Sequence, residues 1–298
     1  MDVRVDPDHF EGTLEPFGSG ALTVAVGGIT VRFEGLSDVL LAASLDRYEP
    51  FLSEEPPLHT VRVFTGLPRY LDPAGDSFMR LEESEHPQGR VFVSYEFAAF
   101  RPNGDGPGLL RVSLGLPVSY SIVALENYLR WTVADFALDR DGFVLHSAGL
   151  VLNGKAYLFF GHSGAGKSTV TAISVEGLDA LALSDDLVLL TRDGVQFVAS
   201  TTPFQGTMPQ KVKERGVYPL AAIFHLKQAS EVSVTSLSPA LAVGMVLSCC
   251  PFVANAARRT TRLIPLVEDL CRRVPVKELL FRKDPSFWDV IAGTEGIQ

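Results

Sequence analysis

Apolar and polar positions alternate through "LTVAVGGITVRFEG" on both sides of Gly27-Gly28, the pattern of a β-hairpin. The same alternation in "GRVFVSYEFAAF" predicts another strand, so the first hundred residues read as mostly β. A cluster of turn formers, "RPNGDGPG" from Arg101 to Gly108, then predicts a loop. From Ser119 to Leu138, "SYSIVALENYLRWTVADFAL" changes to helical spacing and predicts an amphipathic helix. These shifts set a soft boundary near residue 115, giving a β-rich N-terminal domain (1–115) and a second domain (116–298). In the second domain "AYLFF" reads as a strand, "STVTAISVEG" as a helix ended by Gly177, and "LVLLTRDGVQFVA" as a hairpin turning at Asp193-Gly194. The run from Ala240 to Ala257 approaches membrane-span length. Ser248, Pro251 and Asn255 interrupt it and much of it is alanine, so it reads as a buried helix.

Composition narrows the functions available. The 298 residues carry a net charge of -9 and a pI near 5.2, which excludes a basic surface for nucleic acid or anionic lipid. Cys249, Cys250 and Cys271 are odd in number and lack CxxC spacing, arguing against a disulfide framework or a zinc site. The start of the chain is acidic with no apolar segment of the secretory type. A cytoplasmic protein that enters no membrane is expected.

The chemistry concentrates in "GHSGAGKST". Gly161, Gly166, Lys167 and Ser168 fill every fixed position of G-x-x-x-x-G-K-[ST]. A chance match occurs in roughly one chain of this length per hundred, and the strand before and helix after supply the required context. Glycines let backbone N–H groups close around phosphates, and the helix N-terminus favours negative charge. Lys167 brings a cation to the outer phosphates, and Ser168 offers a hydroxyl to Mg²⁺. The expected nucleotide contacts are Gly161, Ser163, Gly164, Ala165, Gly166, Lys167, Ser168 and Thr169.

Two further features flank the loop. Asn153-Gly154 predicts a two-residue hairpin that pairs Leu152 with Lys155; extended, this register sets His146 opposite Gly161, at the mouth of the phosphate site. Downstream, "LALSDDLVLL" places Asp185 and Asp186 at the end of an apolar run, on a strand whose alternation would divide their roles. One carboxylate suits a metal bound to a triphosphate; the other suits an acceptor hydroxyl and its proton.

Together "LHSAGLVLNGKAYLFFGHSGAGKST" and "LSDDLVLL" resemble the catalytic domain of HPr kinase/phosphorylase, with softer likeness in "TTPFQG", "YPLAAIFHLKQ" and "VPVKELLFRKDPSFWDVI". The resemblance covers roughly residues 140 to 290. It implies an α/β (α+β) domain of the HPr kinase and phosphoenolpyruvate carboxykinase type, with a mixed sheet. It also implies ATP and Mg²⁺ as cofactors, Lys167 on phosphate, Ser168 and Asp186 on the metal, Asp185 as base, and His146 as its electrostatic neighbour. The chain departs from that family in Lys-Ser-Thr where the bacterial enzymes have Lys-Ser-Glu, and in lacking the RGLG stretch after the aspartates. The implied acceptor is therefore not HPr but another protein or peptide, or a small hydroxylated molecule. The family forms rings, so a homo-oligomer is a possibility the resemblance raises.

The leading expectation is a serine kinase-like transfer of the ATP γ-phosphoryl group; the alternative is a nucleotide-binding regulatory module or an ATPase without transfer. Decarboxylation of the carboxykinase kind would need a dicarboxylate site that is not identifiable. "TTPFQGTMPQKVKERG" reads either as a loop over the acceptor, with Lys211, Lys213 and Arg215, or as solvated surface. Arg258, Arg259, Arg262, Arg272 and Arg273 read as a charged helix face, His225 as a packed strand residue, and Phe287 and Trp288 as core anchors of a terminal helix.

Overall fold

The computed structural model describes residues 3–72, 80–178, 180–204, 206, 214–252 and 257–295; for Ala257, Arg258 and Glu295 only the backbone is described. Among these residues the chain is mixed α/β, with two sheets and six helices. It divides into two compact units, Met1–Thr132 and Val133–Gln298. The division falls inside a helix, α2 (Val118–Leu138), which begins one residue before the predicted span.

In the first unit the hairpin at Gly27-Gly28 joins β1 (Gly20–Val26) to β2 (Ile29–Leu36), with Val26 opposite Ile29. A helix not foreseen, α1 (Asp38–Tyr48), follows; its signal was Ser37, whose hydroxyl accepts the Leu40 N–H as an N-cap. Then come β3 (His59–Thr65), β4 (Glu82–His86), β5 (Gly89–Val93), β6 (Phe97–Pro102) and β7 (Gly108–Val112). "GRVFVSYEFAAF" is thus two strands, because the chain bends at Ser94–Glu96 and folds β6 back on β5. The Arg101–Gly108 cluster is the turn between β6 and β7. The sheet order is β1-β2-β3-β7-β6-β5-β4.

The second unit contains β8 (Gly142–His146), β9 (Ala148–Leu152), β10 (Lys155–Phe160), α3 (Lys167–Leu178), β11 (Leu181–Ser184), β12 (Leu187–Asp193) and β13 (Gln196–Ser200). It continues with β14 (Val217–Gln228), β15 (Ser233–Ser236), α4 (Pro239–Ser248), α5 (Ala257–Arg273), β16 (Val276–Phe281) and α6 (Ser286–Glu295). The sheet runs β11-β9-β10-β14-β13-β12-β8, with β16 beside β14 and β15. It is mixed: β14 lies parallel to β10 and β16, and antiparallel to β13.

Several local expectations change. Gly177 lies inside α3, where a Cβ would meet nothing within 4 Å, so nothing makes it a stop. Asp193 pairs with Gln196, moving that turn to Gly194-Val195. The apolar run near residue 240 forms the ten-residue α4, of which only Ala242 and Val246 are buried; Asn255 lies outside the described residues. Among the described residues, no helix is long and apolar enough to cross a membrane.

One core of the second unit gathers Tyr157, Phe159, Phe224, Phe281, Phe287 and Trp288 behind the end of β10. Phe159 stacks on Phe224 with ring centres 5.5 Å apart, and Trp288 meets Phe159 edge-on at 5.8 Å. The Trp288 indole N–H donates to Ser174 Oγ at 2.8 Å, and Ser174 donates to the Val170 carbonyl at 2.7 Å. Phe287 and Trp288 therefore anchor α6 and fasten it to α3, the helix that follows the glycine loop.

Candidate functional site

The hairpin register holds from Lys155↔Leu152 to Phe159↔Ala148, with Asn153 and Gly154 at φ 51° and 73°, the left-handed pair that a tight hairpin turn requires. β10 then releases the chain at Phe160 into Gly161–Gly166, and α3 begins at Lys167. Gly166 has φ 111°, and a Cβ there would stand 2.4 Å from the Phe281 ring, so both backbone and space require glycine. The Ala165 N–H donates to His162 O at 3.0 Å, and Gln228 Nε2 on β14 donates to Gly164 O at 2.9 Å. His162, Ser163, Gly164 and Ser168 are exposed, Thr169 is half-buried and Ala165 is buried. The first-turn N–H groups of a helix look outside the helix for partners, and α3 begins where this loop ends.

Lys167 folds back over the loop, donating from Nζ to Gly161 O at 3.0 Å. Burial pushes its pKa below the ordinary lysine value, against the opposing pull of Cys249, Asp186 and Asp185. Both aspartates thus stand within electrostatic reach of this ammonium, although α3 and β11 separate them from it in the sequence.

His146 reaches the site by a different route from the one the hairpin predicts. The β9–β10 ladder ends at Ala148, and β8 instead pairs with β12, setting His146 opposite Leu187 rather than Gly161. This places His146 Nδ1 3.5 Å from Asp186 Oδ1, so the carboxylate it faces is Asp186. The histidine is about half exposed and Asp186 mostly buried.

The aspartates also depart from expectation, lying in a bend between β11 and β12 rather than on a strand, so strand alternation does not divide them. The Ser184 hydroxyl and the segment Thr201–Gly206 hold them. Asp185 is 4% exposed, and its Oδ1 accepts the Gly206 N–H at 2.8 Å. Asp186 presents its carbonyl to the Ser147 N–H at 3.0 Å. Both carboxylates are thus mostly buried, Asp185 nearly completely.

Cys249, which no sequence motif connects to the site, closes α4 beside it; its carbonyl accepts the His146 N–H at 2.8 Å. No spacing signal marks it, because only the packing of α4 brings it to Lys167. Other candidates fall elsewhere. His225 packs on Phe160 at 5.2 Å and lies 3.6 Å from Glu278. Arg259 is buried against the Phe252 carbonyl, Arg262 pairs with Asp139, and Arg272 and Arg273 pair with Asp269. Arg215 is exposed, while Lys211 and Lys213 lie outside the described residues.

Among the described residues no three His, Cys, Asp or Glu side chains converge as a metal site. A Ser168 hydroxyl and one or two carboxylates suit instead a hard cation that takes its remaining ligands from phosphates and water.

A mixed-sheet α/β unit with a strand, a glycine loop and a helix facing a carboxylate bend defines the class of this protein. Residues 118–292, more than half of the chain, match the family model of the SynChlorMet cassette protein ScmC, and the chain belongs to that family. It is also similar to the Hpr(Ser) kinase/phosphatase from Coxiella burnetii, at 11% identity and a TM-score of 0.31, over 51% of this chain and 95% of the other. No curated protein matches.

Proposed function

We propose that the Val133–Gln298 unit binds ATP on Gly161–Thr169 and transfers its γ-phosphoryl group, with Mg²⁺, to a hydroxyl, most simply a serine of a protein or peptide. The observation that carries this reading is the convergence of Lys167 with Asp185 and Asp186, from separate elements, beside a glycine loop that matches the phosphate-binding pattern at every fixed position. Lys167 holds the outer phosphates. Ser168 and Asp186 hold the cation, which when bound neutralises charge on the phosphates. Asp185 orients the acceptor O–H and takes its proton as the oxygen bonds to the γ-phosphorus and the bond from phosphorus to the bridging oxygen breaks, releasing ADP. His146, against Asp186, fixes that carboxylate and offsets its charge when protonated. Positioning and charge neutralisation are what such a transfer chiefly needs.

One observation favours a second reading, a nucleotide-responsive binding module. Asp185 is nearly sealed and already accepts the Gly206 N–H, which is more than binding alone would need but less open than a base in a waiting site. The test is transfer of labelled γ-phosphate from Mg·ATP into an extract of the source organism, comparing wild type with Asp185→Asn. The kinase reading expects a discrete labelled species with wild type alone, while the variant still binds ATP. Labelling of nothing by a wild type that binds ATP through Lys167 would favour the module.

A further inference from the structure

We infer that Ser184 is the positioning residue of the carboxylate pair, an inference that rests on the nucleotide reading above. The bend Asp185–Asp186 carries the chain from β11, paired with β9, to β12, which lies between β13 and β8. Both aspartates lie outside the ladders on either side, so the bend is held by the Ser147 N–H on the Asp186 carbonyl and by side-chain bonds. Ser184 is fully buried and makes three of them. Its hydroxyl accepts from the Asp186 and Leu187 N–H groups, each at 3.1 Å, and donates to the Phe204 carbonyl at 2.6 Å.

These three bonds fix backbone on both sides of the pair, at Asp186–Leu187 and at Phe204. The pair of accepted N–H groups orients Asp186, whose carbonyl and side chain then meet Ser147 N–H and His146 Nδ1. The donated bond fastens the return segment at Phe204, two residues from the Gly206 N–H that holds Asp185. Thr202 ties the same segment to the bend independently, through its N–H to Leu183 O at 3.2 Å and its hydroxyl to Leu187 O at 2.5 Å. The Ser184 hydroxyl bonds the Asp186 peptide N–H directly, and it touches no residue of the glycine loop through these bonds. Its loss should therefore displace the carboxylates and leave the loop intact.

The experiment measures ATP affinity with excess Mg²⁺ and again with EDTA, together with melting temperature, for wild type, Ser184→Ala, Ser184→Thr and Thr202→Val. Wild type should bind ATP more tightly with Mg²⁺. Ser184→Ala should keep its EDTA affinity within about twofold and lose about tenfold of the Mg²⁺ gain, the scale of a buried polar bond broken. Ser184→Thr restores the hydroxyl and should restore the gain. Thr202→Val, an isosteric loss of a buried bond in the same clamp, should melt earlier yet keep the gain. If Ser184→Ala does not fold, Ser184→Cys retains the volume with a much weaker hydrogen-bonding group and carries the same comparison. A Mg²⁺ gain unchanged in Ser184→Ala, or lost equally in Thr202→Val, overturns the inference. A wild type that binds ATP with no Mg²⁺ gain overturns it alone, whereas a wild type that does not bind ATP overturns the nucleotide reading first.

Discussion

Lys167 illustrates how the site works at the scale of one residue. Its ammonium rests on the Gly161 carbonyl and is poorly solvated, so its proton leaves at lower pH than that of a free lysine. If Lys167 holds phosphate, ATP affinity measured in EDTA should decline as pH rises toward, but before, the ordinary lysine value of 10.5. Lys167→Arg, whose guanidinium stays charged, should show a flat profile over the same range; parallel profiles would remove the lysine from the phosphates. Gly166 carries the other residue-scale prediction. Gly166→Ala meets the Phe281 ring and a left-handed φ together, a strain of order 1–3 kcal/mol, and should weaken ATP binding about tenfold or more. Adding Phe281→Leu should recover only part of the loss, since the ring is relieved and the backbone is not.

At the scale of elements, the loop is only as well placed as α3, and α3 is held by α6. Trp288→Phe removes the indole bond to Ser174 while keeping an aromatic body, and should cost about 1 kcal/mol in denaturant unfolding. Trp288→Ala opens the aromatic core and should cost about 3–5 kcal/mol; a Trp288→Phe variant as stable as wild type would show that the hydrogen bond contributes nothing. These elements were partly legible beforehand. Strand, loop and α3 follow from an apolar run, a glycine pattern and helical spacing, and the Asn153-Gly154 hairpin from turn chemistry alone, because all are local. What local reasoning missed depends on partners distant in sequence. His146 lies one short link before β9, yet its strand joins β12, and no hairpin register can reveal that exchange. Asp185 and Asp186 look strand-borne because apolar residues flank them, but β11 and β12 lie at different places in the sheet and the chain must bend between them. The capping role of Ser184 is visible only once Phe204 has returned beside it. Cys249 reaches Lys167 through helix packing that leaves no periodic trace.

At the scale of the whole molecule, His225 in one unit and Glu96 in the other respond to acid in opposite senses. In Val133–Gln298, burial holds His225 below its ordinary 6.5. The unfolded chain therefore takes up that proton first, so the stability His225 contributes is present above pH 6.5 and lost as pH falls through its folded value. The bond from Lys227, followed by the contact with His225, holds Glu278 below 4.5, and hydrogen bonds from Ser286 and then Arg282 hold Asp284 down at about 2; both extend the loss further into acid. In Met1–Thr132, burial raises Glu96 above 4.5 against the bonds from Ser94 and Asn127, so the folded state binds that proton first. Its contribution is complete below the unfolded value and is lost as pH rises through the folded one. Between pH 6.5 and 4.5 the first unit should therefore hold or gain stability while the second loses it. Hydrogen exchange followed peptide by peptide at these two pH values, corrected for the intrinsic rate, reads the units separately. Protection should fall in β14 and β16 while it holds in β6 and β7. In His225→Phe, which cannot take up the proton, the fall above pH 4.5 should largely vanish; an undiminished fall in that variant would assign the acid sensitivity to other groups.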